Sequence, residues 1–424
     1  MTVYYSLYGQ LLDINNLYKG FKKVKAAKGA AGIDGQSIAT FALNLEENLK
    51  QLQRELHTKQ YRAQPVKRIE IPKGDGGVRL LGIPTVRDRI VQQTLLNILQ
   101  PIFDIDFHPS SYGYRPTRSC HDAISKATVF IRKYHREWVV DMDLSKCFDL
   151  LDHDLIISSV KRKVTDGSLL KLLDQFLKSG VMIGNHWEAS EQGSPQGGVI
   201  SPLLANIYLD AFDQEMKKRH HRIVRYADDI LILCCTETAA KNALTVATHL
   251  LEKDLKLTVN QKKTHIAHSS EGVKFLGVEI GSNWTRIQAS KLKGFKQKVK
   301  RLTKRNSGMN LVEVIKRLNP VVRGFVNYFS IANCKRVLEV LARWVRRRLR
   351  AIQLRLWKNP ARLHKRLKQL GKKPPFKFIK MNSWRNSLSP LSSVAMPNQW
   401  FEEQGLYSME KVSTGWLAQS AFRK

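Results

Sequence analysis

The sequence predicts an α+β protein of more than one domain, and three observations carry that reading. Helical and β-type patterns alternate as far as about residue 280. A hairpin signal stands early in that stretch, where two β-rich runs flank a Gly-Asp-Gly-Gly turn within Val66–Pro84. Beyond residue 286 the composition turns strongly basic and helical. At 424 residues the chain also exceeds what one ordinary core organises, so two or three domains are expected.

Taken in order, residues 1 to about 60 read as helices, interrupted by the turn-rich Lys28–Gly35. After the hairpin, the apolar run from Trp138 reads as a strand that carries Asp141 and Asp143 on one face by its period of two. Gln192–Asn206 is a Gly/Pro loop leading into an apolar helix; it reads either as a plain junction or as a phosphate-binding helix start. Ile223–Tyr226 and Ile230–Leu233 read as strands on either side of Asp228-Asp229. From Arg286 to Lys373, 27 Lys and Arg stand against two Glu, so about +25 of the formal +35 lies in 88 residues. Within that segment Leu338, Leu341, Val345, Leu349, Ile352 and Leu356 recur at helical spacing. Arg343, Arg346, Arg347 and Arg350 fall roughly opposite, as an outward stripe without nearby acids. That stripe is either a solvated face or a phosphate contact, and the absence of local counter-charge favours phosphate. Pro374-Pro375 and a Ser-rich stretch near 387–393 suggest a small third unit.

The charge narrows the partners. With 71 Lys and Arg against 36 Asp and Glu, and a pI near 10.1, the chain suits a polyanion: nucleic acid or an anionic membrane surface. Its apolar runs fall far below the roughly 20 residues of a spanning helix, and the polar N-terminus shows no signal-peptide pattern. The expectation is a soluble, intracellular protein without membrane partners. The five cysteines form no CxxC pair, so reduced, buried thiols are expected. No His or Cys follows His364, which argues against a Cys/His nuclease module at the C-terminal end.

Asp228 and Asp229 raise a local question, because two carboxylates about 4 Å apart repel by roughly 4 kcal/mol at an effective dielectric near 20. Successive side chains of a strand point to opposite faces, so the pair can serve one site only at a tight turn. Alone, an Asp-Asp dipeptide is weak evidence, since most such pairs are solvated turns. Asp143, at the end of its strand, is the natural third carboxylate. Three acids without sulfur or imidazole make a hard oxygen site that suits Mg²⁺ rather than zinc. Two such ions can activate an attacking hydroxyl and stabilise the leaving oxygen of a phosphoryl transfer.

Tyr-Ala-Asp-Asp at 226–229, after a DxDxxxxFD strand and with Ser-Pro-Gln-Gly-Gly (194–198) between them, resembles a reverse transcriptase. More narrowly, the chain resembles the reverse transcriptase/maturase proteins of bacterial group II introns, of the compact class IIC type without an endonuclease domain. Supporting stretches are AGIDG (31–35), RIEIPKGDGGVRLLGIP (68–84), SYGYRP (111–116), LKLTVNQKKT (255–264), KFLG (274–277) and RGFVNYF (323–329). The resemblance implies a right-hand polymerase fold, fingers and palm with an antiparallel palm sheet, then a helical thumb and a small C-terminal domain. Its expected bounds are 1–65 for the N-terminal extension and start of the fingers, 66–285 for fingers and palm, 286–365 for the thumb/maturase domain, and 366–424 for a DNA-binding domain.

The resemblance also assigns roles. Asp143, Asp228 and Asp229 would hold two Mg²⁺ ions. Phe148 would lie beneath the incoming sugar; Lys73 and Arg79 would grip the triphosphate; Gln196 would contact the nucleotide; and Lys263, or adjacent Lys262, would act near the leaving group. Phe275, Leu276 and Gly277 resemble the primer grip, and Tyr112 to Arg115 would touch the template. Asp141, Asp149 and Asp152 read as structural acids, and His153 as a satisfied surface histidine. Implied partners are intron RNA in a ribonucleoprotein, an RNA template with a DNA primer, deoxynucleoside triphosphates and a DNA target, in a bacterial cytoplasm near the nucleoid. Two other readings compete. One is a host-domesticated reverse transcriptase acting in repair or phage defence. The other is a non-catalytic splicing factor, which has no use for three clustered acids.

Overall fold

The computed structural model describes residues 2–72, 77–184, 186–190, 192–193, 197–306, 308–374, 376, 385 and 387–415. They form two compact units, Met1–His268 and Ser269–Lys424. The first opens on helices α1 (Tyr8–Leu12), α2 (Ile14–Ala27), α3 (Ile38–Leu43) and α4 (Leu45–His57). α2 starts where the Asp13 carboxylate accepts the Asn15 N–H and stops at Lys28, whose φ of 52° no helix continues. β1 (Val66–Pro72) and β2 (Val78–Ile83) pair antiparallel with Pro72 opposite Val78, as the hairpin signal predicts. β1 also runs parallel to β4 (Val181–Ile183), which pairs with β5 (His186–Glu188), so the order is β2-β1-β4-β5.

The second sheet carries the site. Its strands are β3 (Trp138–Met142), β6 (Arg222–Tyr226), β7 (Asp229–Cys234) and β8 (His265–His268), all antiparallel in the order β6-β7-β3-β8. Ile230 to Cys234 are all buried, so β7 reads as a continuous apolar run rather than an alternating one. α6 (Cys120–Arg132) and α10 (Glu237–His249) pack on this sheet. α6 begins in a capping box, in which Ser119 and Asp122 satisfy each other's backbone N–H. α5 (Val86–Asp104), α7 (His153–Lys161), α8 (Gly167–Lys178) and α9 (Ser201–Lys218) complete the unit. Leu95 and Leu99 of α5 share one core with Ile207 and Phe212 of α9 and Ile232 of β7.

The second unit begins with a meander, β9 (Val273–Phe275), β10 (Val278–Ile280) and β11 (Thr285–Ile287), before the basic helices. These are α11 (Ala289–Leu302), α12 (Leu311–Phe329), α13 (Lys335–Leu356) and α14 (Pro360–Gln369), followed by the short α15 (Pro390–Ala395) and α16 (Asn398–Glu403). Composition marks a change at Arg286, yet the meander groups with the helices. Thr285 explains this: its N–H donates to Asn333 Oδ1 at 3.0 Å and its carbonyl accepts the Asn333 N–H at 2.8 Å, beyond the end of α12. Among the described residues no helix is long and apolar enough to cross a membrane.

α13 corrects the expected arginine stripe. Its apolar face is buried as predicted at Leu338, Leu341, Val345, Leu349 and Ile352. Arg343 and Arg347 are exposed, but Arg346 and Arg350 are buried and do not face outward. Arg346 pairs with Glu410, and Arg350 donates from Nε and Nη2 to the Met396 carbonyl at 3.1 and 3.0 Å. The counter-groups lie 46 and 64 residues downstream, where a count of nearby acids cannot find them. Burial, with Arg346 adding to it, lowers Arg350 to about 10. The exposed arginines of this helix are Arg336, Arg343, Arg347 and Arg355, the first three within an arc of about 40° at 100° per residue.

Candidate active site

β6 and β7 meet at a two-residue turn. Tyr226 pairs with Asp229, leaving Ala227 and Asp228 to reverse the chain, and Ala227 does so at φ 58°. The tight turn that the apolar flanks predict is present but shifted by one residue: of the acidic pair only Asp228 lies in it, and Asp229 opens β7. β3 lies beside β7 with Met142 opposite Ile230, so the register brings the next residue, Asp143, to the level of Asp229. The loop before β8 holds Asp143: Asn260 Nδ2 donates to Oδ2 at 3.0 Å, Lys263 Nζ lies 3.3 Å from the same oxygen, and Thr264 Oγ1 accepts the Asp143 N–H at 3.3 Å.

Repulsion among the acids shows in their titration. Burial, then the charge of Asp143, raises Asp228, while the Arg79 and Arg225 guanidinium groups lower it. Burial, then Asp228, Asp141 and Asp143, push Asp229 up to about 6, with Lys263 opposing. Asp229 is exposed as a whole residue, so water moderates the burial part and like-charge repulsion is the firmer cause. Among the described residues no three Asp, Glu, His or Cys side chains converge closely enough to hold a metal ion as they stand. What fits a divalent cation is the donor chemistry: carboxylates alone, mutually repelling, with Lys263, Arg79 and the already paired Arg225 as near positive charge.

Beneath the turn is a buried polar network that motif reading misses. Arg225, wholly buried, donates from Nε and Nη2 to Asp213 of α9 at 2.9 and 2.6 Å; Asp213 is wholly buried too. Its Nη1 reaches Asn206 Oδ1 at 2.9 Å and the Ala227 carbonyl, within the turn itself, at 3.1 Å. Asn206 Nδ2 donates to the Gly113 carbonyl at 2.8 Å, and Gly113 lies so near the turn that a Cβ there would strike the Ala227 backbone. One guanidinium thus joins the acidic turn, α9 and the loop before α6. The available signal was an arginine inside an apolar strand, since a buried charge demands a buried partner.

The sequence is similar to those of known proteins. The profile of reverse transcriptases (RNA-dependent DNA polymerase) matches residues 71–280, and that of the group II intron maturase-specific domain matches 292–371. Protein YkfC of Escherichia coli is 35% identical over 291 residues, which is 59% of this chain and 76% of that protein. The chain belongs to the group II intron reverse transcriptase/maturase family. The group II intron-encoded protein LtrA of Lactococcus lactis is 28% identical over 76% of this chain and 63% of its own length. For the putative COX1/OXI3 intron 2 protein of Saccharomyces cerevisiae the values are 28%, 63% and 38%. The chain therefore spans less than two thirds of these last two relatives. Its first domain is an RNA-directed DNA polymerase domain of mixed helices and sheets.

The residues expected to act in this reverse transcriptase are placed as follows. Asp143, Asp228, Asp229, Lys263 and Arg79 interact electrostatically, as above. Phe148, half-buried in a short 3₁₀ turn after β3, meets the exposed Tyr114 edge-on at 6.3 Å, and both line a cleft with Ala227 and Asp228. Lys262 is exposed and its N–H caps Asn260 Oδ1 at 3.2 Å. Lys73 and Gln196 lie outside the described residues. Phe275, Leu276 and Gly277 stand at the β9–β10 turn of the second unit, with Phe275 buried and Leu276 and Gly277 at φ 45° and 85°. Arg115 corrects the expected template contact. It is buried, pairs with Asp104 at 2.7 Å and donates to the carbonyls of Asp104, His108 and Ser111, so four of its five N–H groups are consumed within the fold. His153 is buried rather than at the surface, bonded through Nε2 to the Gly193 carbonyl at 2.7 Å. Of the cysteines, Cys147, Cys234 and Cys334 are buried, Cys120 is partly so, and Cys235 is exposed.

Proposed function

We propose that the chain extends a DNA primer along an RNA template, with Asp143, Asp228 and Asp229 as the carboxylates that hold two Mg²⁺ ions. The observation that carries this is the register of β3 on β7, which sets Asp143 beside the Ala227-Asp228 turn inside the segment matching reverse transcriptases. Bound magnesium would activate the primer hydroxyl and neutralise the leaving pyrophosphate. The chain's own groups do the rest. Lys263, a flexible cation beside Asp143, is placed to offset charge on the leaving group, and Arg79 brings its guanidinium to the triphosphate. Phe148 and Tyr114 form the floor against which an incoming sugar packs; a 2′-hydroxyl there meets a ring edge instead of a partner. Lys73 and Gln196 complete the nucleotide contacts, and Phe275, Leu276 and Gly277 the grip on the primer.

The maturase-type segment of the second unit supports binding of intron RNA to aid splicing and mobility; a role of residues 366–424 on target DNA belongs to the same proposal. Primer extension on RNA and DNA templates, with Mg²⁺ and with EDTA, tests the polymerase reading. Asp228→Ala should abolish extension and leave RNA binding within about twofold; extension that survives the substitution or the chelator overturns the site.

A further inference from the structure

A cavity of the first unit, about 320 Å³, lies away from the acids. It opens at the start of β6, four residues before Tyr226 and so about 13 Å along the strand from the acidic turn. Lys126 of α6, Arg136 ahead of β3, Lys217 of α9 and Arg222 of β6 line it, and no carboxylate does. None of the four makes an ion pair among those described, although cations elsewhere on α9 pair with Glu215. Four like charges held around one recess repel one another; Lys126 lies over the Phe130 ring, 4.9 Å from its centroid, and Arg136 Nη1 donates to the Leu233 carbonyl at 3.5 Å, but neither contact neutralises a charge. The rings of Phe130 and Tyr134, 6.0 Å apart and tilted by 56°, stand in the same wall, with Tyr134 54% exposed. His108, also in the wall, accepts the Ser110 N–H on Nδ1 at 3.0 Å, which leaves the proton of its neutral ring on Nε2.

We infer that this recess binds single-stranded RNA, seating an unstacked base against Tyr134, which the buried Phe130 backs, and the flanking phosphates on Lys126, Arg136, Lys217 and Arg222. The volume suits one nucleotide, and a duplex, whose bases are stacked inward, has nothing to insert. Exposed aromatic area gives base stacking without sequence readout, and cations at the rim track the backbone. The imidazole N–H is a partner that a 2′-hydroxyl can use and a deoxyribose cannot, which favours RNA over DNA. The recess therefore offers a hold on RNA separate from the polymerising centre. It is independent of the arginines of α13, and it deepens the reading that the protein binds intron RNA, on which it rests.

The test uses the full chain and fluorescein-labelled 12-mers of mixed sequence: single-stranded RNA, single-stranded DNA and duplex RNA. Lys126→Gln/Arg222→Gln should weaken binding of single-stranded RNA roughly tenfold at 0.15 M salt and reduce the slope of log affinity against log salt by about 1.4. Tyr134→Ala should weaken it by about fivefold or more with the slope unchanged. Duplex RNA should be affected by less than twofold in both variants, single-stranded DNA should bind more weakly than RNA, and primer extension on a short template should persist. Unchanged affinity and slope in both variants overturns the recess. Equal losses for duplex and single strand reassign it to a general basic surface and overturn it equally. Absence of RNA binding by the unsubstituted protein instead overturns the intron-RNA reading itself.

Discussion

Asp229 is an acid that the fold keeps at a disadvantage. Its pKa, pushed up to about 6, lies above the usual carboxylate value just under 4. A raised acid pKa means the folded protein holds the proton more tightly than the unfolded chain. The stability it contributes is present at low pH and lost as pH rises through about 6. In EDTA at pH 8, Asp229→Asn should therefore melt about 2 °C higher than the parent, roughly 1 kcal/mol after allowing for water on its exposed side. That gain should shrink as pH falls through 6, and extension should be lost at every pH. A lower melting point at pH 8 would mean the acids do not repel. Arg225 is the complementary case, a buried charge whose fork spans the Ala227 carbonyl, Asn206 and Asp213. Arg225→Lys keeps the charge and loses the planar fork, so the turn shifts. We expect kcat to fall about 10- to 100-fold while nucleotide KM stays within about twofold, the pattern of misplacement rather than lost binding. A change in KM alone would show that the network does not position the acids.

At the scale of elements, α13 separates two jobs that its sequence merges. Arg343 and Arg347 face water, while Arg346 and Arg350 tie the helix to the segment from Met396 to Glu410. Neutralising Arg343 and Arg347 should lower the salt slope of RNA binding by about 1.4 to 1.8 and leave the melting temperature within a degree. Arg346→Gln should do the reverse. Glu410 would lose its partner, at a cost of about 3 kcal/mol, while the slope stays put. If both pairs move the slope equally, the division of labour is wrong. The β6–β7 hairpin shows the same economy: one strand pair supplies the acidic turn at one end and Arg222 of the basic recess at the other.

Across the whole molecule the charge is uneven. Of the formal +35, Ser269–Lys424 carries +27 and Met1–His268 carries +8. Self-repulsion at that density opposes compaction, and salt or a polyanion relieves it. Raising NaCl from 50 to 500 mM should increase protection from hydrogen exchange in the helices of the second unit several-fold more than in the β6-β7-β3-β8 sheet. Equal protection in both units would remove self-repulsion as a factor. The functional reading is consistent with this distribution: the strongly basic unit includes the maturase-type segment, and the nearly balanced one includes the acids.

The sequence by itself determined the α+β class, the β1–β2 hairpin, the acidic turn and the buried stripe of α13. Each depends on residues within one or two turns of one another, where periodicity and turn chemistry act locally. Asp143 was legible as well, because its strand end announces itself. The fates of Arg115, Arg225, Arg346 and Arg350 were decided by the tertiary structure. Each of these is buried by a partner that a local reading cannot pair with it: Asp104, Asp213, Glu410 and the Met396 carbonyl. An arginine reads alike in sequence whether it meets a phosphate or a carboxylate. The choice rests on whether the fold brings a counter-charge close enough to repay desolvation, and here long-range packing settles it.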